Sequence, residues 1–259
     1  MQVAHPLVAQ GVLDHSSVRT KSFERLNRTL SMMQSFTFGT NEEVEKITAR
    51  INHAHSFVNG KLPKGVGKHA AGTSYSAFDP ELLMWVWATL TDTAVLVYET
   101  FIAPLRDEDK EEYYQECKRL LVPLGGDMKS TPATFGDLRA YLKAKYASGD
   151  IKVGDEVKRD IIPYLLLQKP KRLKLPLLPL SLPLVKVTIG LLPPELREQY
   201  GLPWSKRDQR AFDYFAAASR KVHGTQFARF IPDRVRYSSH YRRTLRTNKD
   251  RSTNRPTAV

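Results

Sequence analysis

Only one cysteine, Cys117, occurs in 259 residues, which excludes an internal disulfide framework and any multi-cysteine zinc site. It sits in EEYYQECKRLL, a charged helical stretch expected to expose it, and so makes a poor thiolate ligand. Runs that alternate with period two are missing, as are internal repeats, so neither a β-domain nor a solenoid is indicated. Several catalytic signatures are absent too. There is no C-x-x-C-H, no G-x-G-x-x-G after a strand, no Walker A loop, no G-x-S-x-G and no Glu-x-x-His pair for a carboxylate-bridged di-iron bundle. The first fifteen residues lack a basic segment followed by an apolar run, so no signal peptide is expected, and the location reads as cytoplasmic or membrane-associated.

Acidic charge is also scarce. Forty Lys and Arg against 27 Asp and Glu give a net +13. Residues 234–259 hold eight Lys or Arg against Asp250 alone, a net of 8 − 1 = +7. The remaining 233 residues therefore carry 13 − 7 = +6. That terminal stretch lacks apolar periodicity and is expected to be a disordered basic tail, residues 1–233 forming one domain. No aromatic-interleaved RNA motif, zinc finger or basic heptad accompanies the charge, so no specific nucleic-acid partner is expected. The run 82–102 is apolar and long enough to span a bilayer, but Asp92 near its centre would cost ~2.5–3.5 kcal/mol there, so a buried central helix is expected. Residues 175–192 are leucine-rich but carry Pro176, Pro179, Pro183 and Lys186. They are read as unable to form one regular helix, and as covering an apolar pocket or lying on a membrane surface.

What the sequence does contain is helix. Helices are expected over 5–15, 23–34, 42–58, 81–102, 107–121, 134–147, 153–167 and 206–222, with another starting at Pro193-Pro194-Glu195. Asp79-Pro80-Glu81 supplies a cap, a first-turn proline and a favourable acid for the longest of them. Ser205 and Asp208 have capping-box spacing. The fold class is all-α.

Three sets of residues could carry chemistry. In EVEKITARINHAHSFVNG, at 100° per residue, His55 falls about 40° from Ile51 inside the apolar stripe, whereas His53 falls about 200° away. The two rings point apart and cannot form a metal pair. His55 is then either a satisfied core histidine or a ligand. His5 and His15 share a face with Val8 and Val12 and read either as a buried polar site or as partners of backbone carbonyls. In the second helix Arg25, Arg28 and Thr29 form a face that is either solvated or able to stabilise developing negative charge with a guanidinium and a hydroxyl.

Several segments, taken in order, resemble the MpaB / rubber-oxygenase (latex-clearing protein) catalytic-domain family. They are Ala4-His5-Pro6-Leu7-Val8-Ala9-Gln10-Gly11-Val12, Asp14-His15-Ser16, Arg25-Leu26-Asn27-Arg28-Thr29, Phe38-Gly39 and Arg50-Ile51-Asn52. There follow His55-Ser56-Phe57-Val58-Asn59-Gly60, Tyr75-Ser76-Ala77-Phe78-Asp79-Pro80-Glu81, Trp85-Val86-Trp87-Ala88-Thr89-Leu90 and Leu192-Pro193-Pro194-Glu195-Leu196-Arg197. The resemblance implies a globin-like helical core holding one non-covalent haem b. His55 inherits the proximal iron position, with His5 and His15 as further cofactor-side candidates, and Arg25, Thr29 and Arg28 inherit the distal side. It also implies dioxygen-dependent cleavage of a carbon–carbon double bond in an apolar, isoprenoid-like substrate, for which the leucine-rich 164–192 stretch suits a lining. The alternatives are a haem-binding relative without turnover and a basic adaptor at a membrane or on nucleic acid. Peripheral membrane contact fits either branch. Three departures stand out. The chain begins a few residues before His5-Pro6, where relatives have a further helix. Trp87 stands where the family commonly has histidine. The acidic residue proposed as a general base cannot be placed by motif, and Asp14, although near, is not assigned that role.

Overall fold

A computed structural model describes residues 1–16, 22–165, 178–224 and 241–242, and of 22, 23, 25, 26, 164, 165, 178–182 and 224 the backbone alone. Most of residues 234–259, the expected tail, therefore lie outside the described residues. The all-α expectation holds: the described elements are helices apart from one two-stranded sheet.

Local chemistry sets the helix starts. Helix α1 (Pro6–His15) begins with proline at its first position, and the His5 side chain caps it by accepting from Leu7 N. Helix α2 (Ser22–Phe38) runs four residues beyond its expected end. Helix α3 (Asn41–Ser56) opens on a reciprocal capping box between Thr40 and Glu43, which satisfies two otherwise orphaned N–H groups. Strands β1 (Asn59–Lys61) and β2 (Ser74–Ser76) pair antiparallel with Gly60 opposite Tyr75. At three residues each they are too short to show a period.

Helix α4 (Pro80–Phe101) is the central element. Asp79 accepts from Glu81 N at 2.9 Å and Leu82 N at 3.3 Å, and Pro80 needs no partner in the first turn. Trp85 and Ala88 are fully buried, and Thr89 turns its hydroxyl back to the Val86 carbonyl. Each large apolar side chain buried in this way contributes roughly 1.5–3 kcal/mol. The charge that argued against a membrane span, Asp92, lies 3.3 Å from Arg139, and burial raises its carboxyl above the usual range. No helix among the described residues is long and apolar enough to cross a membrane.

Helices α5 (Asp107–Leu121) and α6 (Phe135–Ala147) pack on α4. Tyr114 Oη and Lys118 Nζ both donate to the Pro132 carbonyl, at 2.5 and 3.0 Å, which pins the connection between them. The helix expected over 153–167 is instead two short pieces, α7 (Asp155–Asp160) and α8 (Ile162–Leu165). Pro163 has no N–H to continue the α7 ladder. The leucine- and proline-rich stretch, expected not to form one regular helix, contains helix α9 (Leu178–Gly190) with Pro183 inside it. Pro179 falls in its first turn, where a missing donor costs nothing, so only Pro183 interrupts the ladder. Helices α10 (Pro194–Gln199) and α11 (Lys206–Gly224) follow. The Ser205–Asp208 capping box forms, with Asp208 N donating to Ser205 Oγ at 3.2 Å and Ser205 N to Asp208 Oδ2 at 2.9 Å.

Candidate functional site

The histidines divide by local geometry. Helix α1 carries Val8, Gly11, Val12 and His15 toward a cavity of about 440 Å³. Its other walls are Leu82, Leu83 and Val86 of α4, Tyr75 of β2, Val58 and His55. Gly11 allows this closeness: a Cβ there would sit 3.3 Å from Val58 Cγ1. The hollows of about 320 Å³ behind α1 and about 600 Å³ beside Asp92 contain no histidine.

His55 stands in the last turn of α3, half-buried, with its ring 6.1 Å from Phe78 and edge-on to it. Its Nδ1 is buried and has no hydrogen-bond partner among the described residues. Burial lowers its pKa and so favours the neutral imidazole. His53, two residues earlier, is exposed and stacks edge-on with Phe57 at 5.1 Å. The helical phase read from the sequence is therefore the one observed.

His15 also lines the cavity, but its Nε2 lies 3.0 Å from the Asn59 carbonyl, so that nitrogen carries the proton and donates. Tyr75 Oη is 3.3 Å from the same nitrogen and donates to Asp14 Oδ2 at 2.5 Å, while Gln10 Nε2 donates to Asp14 Oδ1 at 2.8 Å. Burial, with the hydrogen bond to Asp14 second, pushes the Tyr75 phenol well above its usual range. The sequence reading missed Tyr75 as a site residue. Its signal was Gly60: a Cβ at Gly60 would lie 2.6 Å from Tyr75 Oη, so the His55-x-x-Val58-x-Gly60 motif ends in glycine to admit this ring.

His5 is placed elsewhere. It is 3% exposed, caps α1 through Nδ1 and packs against His69 at 5.1 Å and Trp85 at 6.2 Å, and it does not line the cavity. Burial, with repulsion from His69 second, lowers its pKa to about 4. Among the distal candidates, Arg28 lines the cavity and is the only Lys or Arg that does so among the described residues. Thr29 is exposed and is not among the lining residues, and the side chain of Arg25 lies outside the described residues.

Trp87 faces away from the cavity: its Nε1 donates to the Cys117 carbonyl at 3.2 Å and its ring packs on Tyr114. Cys117 is half-buried rather than exposed, because α5 turns it toward α4; burial raises its thiol pKa. Among the described residues the apolar lining comes from α1 and α4, and none of α9 contributes; the side chains of 164–182, where much of the expected lining falls, lie outside the described residues.

Haem fits this donor set. No group of three or more His, Cys, Asp or Glu among the described residues could hold a bare metal ion. A porphyrin brings four nitrogens of its own and asks the protein for one axial imidazole and an apolar wall. His55, with an unpartnered buried nitrogen in such a wall, meets that demand.

The fold and the site together define an all-helical domain built round an apolar, histidine-lined cavity. Residues 1–221 match the family described as ER-bound oxygenase mpaB/B'/Rubber oxygenase, catalytic domain. The chain is 30% identical over 240 residues to Uncharacterized protein Rv2237 of Mycobacterium tuberculosis and to Uncharacterized protein Mb2261 of Mycobacterium bovis, covering 91% of this chain and 88% of each relative. No solved structure matches it. The chain belongs to the MpaB/rubber-oxygenase catalytic-domain family, a family of oxygenases.

Proposed function

We propose that this protein is a haem b-dependent oxygenase that cleaves a carbon–carbon double bond of an apolar, isoprenoid-like substrate with dioxygen. The observation that carries the reading is His55, which lines a largely apolar cavity and whose buried Nδ1 has no hydrogen-bond partner among the described residues. Bound haem supplies an iron centre that activates dioxygen. His55 would hold the haem iron, and burial, by lowering its pKa, favours the neutral imidazole that a metal needs. Leu82, Leu83, Val86, Val8 and Val12 exclude water and accept a hydrocarbon chain. Arg28, at the cavity wall, supplies positive charge and hydrogen-bond donors where negative charge develops. Asn59 and Tyr75 hold the orientation of His15 at the cavity wall.

The test is an absorption spectrum and pyridine haemochrome assay after reconstitution. About one haem b per chain is expected, lost in His55→Ala and kept in His53→Ala. Haem retained in His55→Ala, or none in the parent protein, overturns the proposal. Carbonyl products from isoprenoids under dioxygen then separate an oxygenase from a relative that only binds haem.

A further inference from the structure

Helix α11 has two unlike faces. Its inner face is fixed: Phe212 packs on Phe101 and Trp204, Ser219 Oγ donates to the Phe101 carbonyl at 2.8 Å, and Ala216 is buried. Where α11 passes Gly190, Phe212 leaves no room for a Cβ on α9. At 100° per residue, Arg207, Arg210, Tyr214, Ala218 and Lys221 fall within about 80° of arc, centred roughly opposite Phe212. All five are exposed, Tyr214 by 79%. The acids are segregated from this stripe: Asp208 faces Lys186 at 2.7 Å, and Asp213 lies to one side, where it accepts from Gln209. Arg207, Arg210 and Lys221 form no ion pair with a described residue; the only side-chain bond of the three runs from Arg210 Nε to the Lys206 carbonyl at 3.4 Å. Phe215, 49% exposed, flanks the stripe.

We propose that this face of α11 docks the protein on an anionic lipid bilayer. Charge complementarity selects an anionic partner, because three cations and no acid share the stripe. Shape and the exposed Tyr214 ring favour a bilayer over a single strand of nucleic acid. A strand of RNA is held in a basic groove that tracks its backbone. None of the cavities described above, nor the hollow of about 380 Å³ beside Phe212, is lined by Arg207, Arg210, Tyr214 or Lys221. The stripe is a convex line about 21 Å long from 207 to 221, with an aromatic ring at its centre and small residues beside it. A basic cluster of this kind meets lipid phosphates through Arg and Lys, and a tyrosine ring sits at headgroup depth. A surface-bound oxygenase would meet an apolar substrate where such molecules concentrate, but the docking itself is independent of haem.

The test is co-sedimentation of the full chain with phosphatidylcholine vesicles, with and without phosphatidylserine. Partitioning is expected only when phosphatidylserine is present. The triple variant Arg207→Gln/Arg210→Gln/Lys221→Gln should weaken it about 10²-fold, and Lys221→Gln alone about fivefold, as each cation near an anionic surface contributes a similar factor. Tyr214→Ser should weaken it without altering its salt dependence. Unchanged far-UV circular dichroism checks that the variants fold. The proposal is overturned if the parent does not bind, if the triple variant binds as tightly as the parent, or if single-stranded RNA displaces the vesicles.

Discussion

Replacing Gly60 by alanine probes the packing of the cavity wall directly. The added methyl would lie 2.6 Å from Tyr75 Oη, 2.9 Å from Cζ and 3.1 Å from Cε1. The ring has little freedom to retreat: Tyr75 is 4% exposed, lies against Gly11 on its other side, and is tied to Asp14. Two responses are open. If the ring stays, the strand pair must spread, an overpacking cost of ~1–3 kcal/mol. If the ring swings away, the hydrogen bond to a carboxylate is lost, at ~1.5–3 kcal/mol. Either route gives about 2 kcal/mol, which in a chain of this size lowers Tm by roughly 4–8 °C. Thermal and urea unfolding of Gly60→Ala, Tyr75→Phe and the double variant measure it. Tyr75→Phe removes the nearest atom, so Gly60→Ala should cost less in that background, by ~1 kcal/mol. A single-variant cost below ~0.5 kcal/mol, or strict additivity, would refute the reasoning.

Two further predictions concern charge. His5 has an ordinary pKa of 6.5 and a folded value of about 4, so the unfolded chain takes up its proton first as pH falls. The stability due to neutral His5 is complete above 6.5 and is lost between 6.5 and about 4. That span corresponds to ~3 kcal/mol. His5→Asn keeps an N-cap acceptor and should flatten this part of the pH profile; urea midpoints at pH 7 and pH 4.5 compare the two, and equal slopes would sink the assignment. Arg28→Ala should retain haem but lower dioxygen-dependent product formation by about 10²-fold, and steady-state turnover matching the parent would remove Arg28 from the site.

How much could be read beforehand depended on how local the deciding physics was. Caps and phases were legible: Asp79-Pro80 placed α4, and the 100° rule turned His55 inward and His53 outward, as found. By its wheel position His5 reads as part of a helix face, but it precedes a first-turn proline, where a side chain caps rather than projects. Tyr75 was invisible because three-residue strands carry no periodicity, and its partner Asp14 lies 61 residues away. Cys117 looked exposed among charged neighbours, but tertiary packing on α4 decided otherwise. Which of Arg25, Arg28 and Thr29 faces the cavity depends on where α2 sits, and that is set by contacts rather than by its own pattern.

Helix α4 serves two compartments at once. Leu82, Leu83 and Val86 form one wall of the cavity, while Trp85 and Trp87 anchor the helix through bonds to the Gln2 and Cys117 carbonyls. The residues that set the cavity's width are therefore largely separate from those that hold the helix in place. Substitutions at 82 and 86 can reshape the hollow while the anchors keep the axis fixed. Such a partition lets the hollow change shape among descendants of one chain without refounding the fold.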